Sequence, residues 1–146
     1  MGKVLRVLRN GTRNQSTADF SRSNVFIFGN RYTRASILNG SGDDVVFEDG
    51  ILVMRSATDT TKIVPVLLTA DLAKTIGVLK TDEVEVADGA SVSVHFAHKG
   101  ELDGNLLVLP EASTLNTLVG DRTLKDVLTG LGFIVSNVAE DSKFDN

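Results

Sequence analysis

The sequence predicts a mainly β fold with minor α: a small antiparallel β-barrel or sandwich body, a C-terminal helix and an extended N-terminal arm. Three observations carry this. Between Ile76 and Pro110, short apolar stretches alternate with turn signals, and Val92, Val94 and Phe96 interleave with Ser91, Ser93 and His95. That period of two marks a half-buried strand. Near the C-terminus the period changes. Leu124, Val127, Leu128 and Leu131 fall at i, i+3, i+4 and i+7, one apolar stripe of a helix. Finally, the first 36 residues carry seven basic side chains against one acid, a charge of +6. The remainder carries −10, so a basic arm precedes an acidic body. The division is placed at residues 1–42 for the arm and 43–146 for the body.

In chain order, residues 3–9 predict a short strand that Asn10-Gly11 ends. Asn10–Asn24 is polar, with Phe20 as its one apolar anchor. Val25–Phe28 and Tyr32–Leu38 flank Gly29-Asn30, which predicts a hairpin on the arm. A second hairpin is expected where Val45–Phe47 and Ile51–Met54 flank Glu48-Asp49-Gly50. Ile63–Leu68 reads as a strand, and Pro65 assigns it an edge or bulged position. Thr69 is suited to cap one helical turn over Ala70–Lys74.

Strands are then expected at Ile76–Leu79, Val84–Val86 and Val92–Phe96. Gly100 and Asp103-Gly104 read as turns, and Asn105–Leu109 as a last strand stopped by Pro110. Glu111–Val119 has the composition of a short helix. Asp121 or Thr123 can cap the helix over roughly Arg122–Leu131, with Gly132 at its C-cap. Phe133–Val138 closes the fold as a strand before a polar tail.

The sequence offers little chemistry. It has no cysteine, hence no disulfide, no thiolate zinc site and no cysteine nucleophile. Its two histidines, His95 and His98, lie three apart on a strand and point to opposite faces. The acidic clusters lack the ligand spacing of a calcium loop. Glu101 and Asp103 form the carboxylate pair that glycoside hydrolysis would want. With no Trp and one Tyr, the aromatic surface that goes with sugar binding is thin. Phosphate-loop, dinucleotide, nucleophile-elbow and HExxH motifs are absent. No apolar run approaches the length of a membrane helix. Asn14-Gln15-Ser16 and Asn39-Gly40-Ser41 match the glycosylation sequon by chance composition. No catalytic residue, metal or cofactor is expected, and the chain is read as a non-enzyme.

The feature above background is the arginine-rich arm. Its expected docking residues are Arg6, Arg9, Arg13, Phe20, Arg22 and Arg31. Arginine suits bidentate contact with carboxylate or phosphate. The nucleic-acid reading, a small barrel using this Arg set, needs stacking aromatics, which Phe20, Phe26, Phe28 and Tyr32 supply sparsely. The acidic body opposes a phosphate backbone, so docking on protein by strand addition is favoured.

From Asp44 to Val138 the order of features resembles phage capsid decoration proteins of the lambda head-decoration type. The features are Gly50-Ile51-Leu52-Val53, Ile76-Gly77-Val78-Leu79 and the acidic alternation ending in Val86-Ala87-Asp88-Gly89. Val92–Phe96 leading into Gly100-Glu101-Leu102, then Leu106–Pro110, and the terminal helix with Phe133–Val135 complete the order. Leu109 stands where that pattern often has an aromatic, and the arm is longer and richer in Arg. The resemblance implies a β-rich body without catalysis, a homotrimer, and an arm that adds strands to the major capsid protein on the outer surface of the expanded head. The expected location is the virion, and the host cytoplasm during assembly. Nucleic acid and membrane are not expected partners.

Overall fold

The computed structural model describes residues 4–6, by backbone alone, and 24–136. The fold is mainly β, with one helix near the C-terminus. The strands are β1 (Val4–Arg6), β2 (Phe26–Leu38), β3 (Asp44–Phe47), β4 (Leu52–Arg55), β5 (Lys62–Pro65) and β6 (Gly77–Lys80). They continue with β7 (Val84–Val86), β8 (Ser91–Asp103), β9 (Leu118–Val119), β10 (Arg122–Thr123) and β11 (Phe133–Ser136). The helix α1 spans Leu124–Leu131.

The main sheet runs β11-β8-β2-β5-β4-β6, and β6 also pairs with β8. That last pairing closes a five-strand circuit, which removes the free edges an open sheet would present. The 13-residue β8 makes the closure possible. One of its edges pairs with β2; the other meets β6 at His95–Ala97 and then β11 at Gly100–Asp103. A second sheet, ordered β1-β3-β7, joins β1 and β3 in parallel and β3 and β7 antiparallel.

The circuit separates two cores. Ile37, Phe47, Val53, Ile63, Leu79, Val94 and Phe96 pack together on one side. Phe26, Leu52, Leu72, Val78, Leu102, Leu124, Leu128 and Phe133 pack on the other. Successive side chains of a strand point to opposite faces. Leu52 and Val53 are therefore both fully buried, one in each core.

The helix follows its sequence signals. Thr123 Oγ1 accepts from the Asp126 amide at 3.2 Å, and Asp126 Oδ2 accepts from the Thr123 amide at 3.1 Å. This reciprocal pair is a capping box. Gly132 ends the helix at φ 114°, its amide donating to the Thr129 carbonyl. Leu124, Val127 and Leu128 bury the apolar stripe against the core containing Phe133.

Several expected elements are corrected. There is no hairpin at Gly29-Asn30: residues 26–38 form a single strand between β8 and β5, and the Gly-Asn pair falls among register shifts at residues 28–32. Seven consecutive pairs, Tyr32–Leu38 with Ser91–Ala97, hold the strand past that bulge. There is no hairpin at Glu48–Gly50 either. β3 pairs with β1 and β7, whereas β4 pairs with β5 and β6, so the turn carries the chain between two sheets.

β5 is interior, not an edge. Pro65 is tolerated because β5 pairs with β2 only through Lys62 and Ile63, leaving the proline's missing donor beyond that ladder. Thr69 does not cap the 3-10 turn Thr69–Lys74. Its amide and hydroxyl donate to Glu111 Oε1 at 2.6 and 2.8 Å. Gly100 lies inside β8, and the segment 104–109 holds a 3-10 turn and one bridge, Val108 to Ile51, in place of a strand. Residues 111–119 form turns and β9 rather than a helix.

Candidate docking surfaces

Beyond the closed circuit, β2, β8 and β11 run on as a three-strand extension. Register puts Phe26, Leu102 and Val135 in one row, all buried against the core under α1. The next row, Phe28, Glu101 and Ile134, faces the other way. There Phe28 is 77% exposed and Ile134 66%. Glu101 is held between them by Ser136, whose hydroxyl donates to Oε2 at 2.8 Å. One step along, Arg31 lies opposite Lys99, both exposed. Among the described residues neither has an acidic partner within ion-pair distance. Like charges directly opposite across strands are destabilising, so the fold retains this pair at a cost.

The other face, beside the buried Phe26 row, carries an aromatic and basic patch of its own. Phe26 and Tyr32 meet edge to face at 5.7 Å, and Lys80 Nζ lies 5.5 Å from each ring centroid. Burial, and then the charge of Asp49, push the Tyr32 phenol above its ordinary value. Arg34, His95 and Lys80 form one cross-strand row beside it.

A second surface opens at the far end of β2. After Ser36 and Ile37 the strand leaves β5, and an apolar groove of about 390 Å³ forms between them. Leu38, Met54, Val64, Pro65, Leu67 and Leu68 line it, together with Asp71. Leu68 is 53% exposed. Asp71 also pairs with Lys74 at 3.3 Å.

Of the six docking residues expected from sequence, Arg31 sits on the first surface. Arg6 is in β1, opposite Val46 of β3, with its backbone alone described. Arg9, Arg13, Phe20 and Arg22 lie outside the described residues. Lys99 and Ile134 were missed, because nothing local marks them: each is defined by its cross-strand neighbour. Phe28 was read only as sparse aromatic support. Its signal was present in the polar or small residues that follow it, Gly29-Asn30-Arg31, which break a core pattern.

The other candidate residues make local structural contacts. Asp103 is buried and accepts from the Asn105 amide at 3.0 Å, while Glu101 accepts from the Ser136 hydroxyl. Asn39 is buried, its amide nitrogen donating to the carbonyls of Asp43 and Val86 at 2.7 and 2.8 Å. It is therefore no glycan acceptor. Among the described residues, no group of His, Asp or Glu is arranged to hold a metal, and no helix is long and apolar enough to cross a membrane. Neither the family models nor the curated proteins compared with the chain match it.

Proposed function

We propose that this chain is a phage capsid decoration protein, a non-catalytic module that binds the outer surface of the expanded head at capsomer junctions and stabilises it as a homotrimer. The observation that carries the reading is the exposed row of Phe28 and Ile134 beside Arg31 and Lys99, which have no acidic partner among the described residues. Large apolar side chains flanked by cations on a rigid sheet suit a protein interface. The order of strands and terminal helix adds support from the resemblance to the lambda head-decoration type. A cement protein gains from several linked weak contacts, because the first raises the effective concentration of the next. The basic residues of the N-terminal segment would supply one such contact and the sheet face another.

Deleting residues 1–23 tests the arm. The shortened chain lacks β1 and is expected to keep the closed strand circuit folded, seen as a cooperative thermal melt, and to lose co-sedimentation with expanded heads. Full occupancy by the shortened chain would overturn the arm's role.

A nucleic-acid reading is favoured by one observation, the exposed Phe28 and Tyr32 beside Arg31 and Arg34. DNA affinity that falls steeply with salt would support it. Decoration predicts negligible DNA affinity at physiological salt.

A further inference from the structure

We propose that the outer face of β2, β8 and β6 docks a short acidic peptide segment of a partner protein, held by Arg34, His95 and Lys80. This goes beyond the decoration reading. The face lies on the side of the sheet opposite Phe28 and Ile134, and that reading does not use it.

Strand register builds the face. Arg34 lies opposite His95, and Lys80 lies opposite His95 on its other edge. One step along, Phe96 and Leu79 point into a core, so the row itself points outward. Arg34 and His95 are exposed. Along β8 the neighbours of His95 on this face are Ser93 and Ala97, whose short side chains leave the row open. The four nearest positions around His95 therefore hold two cations, a serine and an alanine, and no acid. Among the described residues, none of the three has an acidic partner within ion-pair distance. The Lys80 ammonium is held 5.5 Å from the centroids of both Phe26 and Tyr32, so it loses less freedom on meeting an anion.

The extent of the row selects the kind of anion. Arg34 and Lys80 stand two strand spacings apart, about 10 Å. Asp49, whose carboxylate accepts from the Thr81 amide at 2.7 Å, ends the row beyond Lys80. On the other side Ser36 pairs with Lys62, whose amide donates to the Asp59 carbonyl at 2.9 Å. A polynucleotide continuing past the row would bring its phosphates toward these acids. Two carboxylates on alternate residues of an extended peptide lie about 7 Å apart and fit within it. Arginine also takes a carboxylate through two parallel hydrogen bonds.

Nuclear magnetic resonance of the full chain at pH 7 tests the site. The Arg34 Nε–H and His95 ring signals are followed, which separates this face from binding by residues 1–23. The probe is an eight-residue peptide of alternating Glu and Ser. Both signals are expected to shift saturably, and a Gln–Ser peptide is expected to leave them in place. Arg34→Gln, at an exposed position, is expected to weaken the His95 response about fivefold, the scale of an exposed ion pair. Arg122→Gln, on β10, is expected to leave it unchanged. Eight-nucleotide oligothymidine is expected to act more weakly than the Glu–Ser peptide.

Signals that stay in place with the Glu–Ser peptide would overturn the site. A stronger response to oligothymidine would overturn the choice of partner and assign the face to nucleic acid. Shifts with protein concentration alone would overturn it in favour of a second copy. No capsid enters the experiment, so the decoration reading stands or falls apart from it.

Discussion

Gly100 shows how a single position fixes the crossing of two long strands. It holds φ at 128°, and a Cβ built there would meet the Cα and side chain of Asn30 in β2. Glycine is the residue that reaches this conformation without strain and lets the backbones close. Gly100→Ala is expected to destabilise the fold by about 1–3 kcal/mol, from combined strain and overpacking. Urea unfolding of the full chain measures it, and an unchanged midpoint would mean that β2 and β8 can part at Asn30 without loss. At the same scale, Glu111 takes φ 51° and ties its loop to the 3-10 turn through Thr69. Those two hydrogen bonds hold its carboxyl below the ordinary value, so the tie contributes stability at neutral pH and fades as pH falls through the acid range.

Among the elements, α1 was the most legible in sequence, and the reason is physical. Its cap, apolar stripe and terminating glycine all lie within about a dozen residues, so local chemistry suffices. Thr123→Ala removes the acceptor for the Asp126 amide and is expected to cost about 1 kcal/mol. A thermal melt followed by circular dichroism would detect it; no change would mean that the capping box contributes nothing beyond the packing of Leu124 and Leu128.

The strands were legible as strands, but their pairing was not. β7 and the first half of β8 alternate as expected, whereas β2 takes its register from β8, some 60 residues away. A Gly-Asn pair reads the same whether it turns a hairpin or bulges a long strand; only the partner's length decides. The turn at Glu48–Gly50 failed for a related reason. It joins β3 and β4, which belong to different sheets, so adjacency in sequence did not mean pairing. The candidate docking face shared this blindness, since Lys99 and Ile134 acquire meaning only beside Arg31 and Phe28.

At the scale of the molecule, closure of the strand circuit and the separation of charge belong together. A body with two cores and few free edges is rigid enough to present Phe28, Ile134, Arg31 and Lys99 as a fixed pattern. Rigid presentation lowers the ordering cost of binding, which matters when each contact is small. If the proposed reading holds, the molecule braces other surfaces, and its effect should appear as stability conferred on them. Titrating the full-length chain into expanded, undecorated heads while following the temperature at which they open measures that effect. A saturable rise in opening temperature, levelling at a fixed ratio of chain to capsid protein, is the expected result. Heads that open at the same temperature whatever the amount of chain added would contradict it.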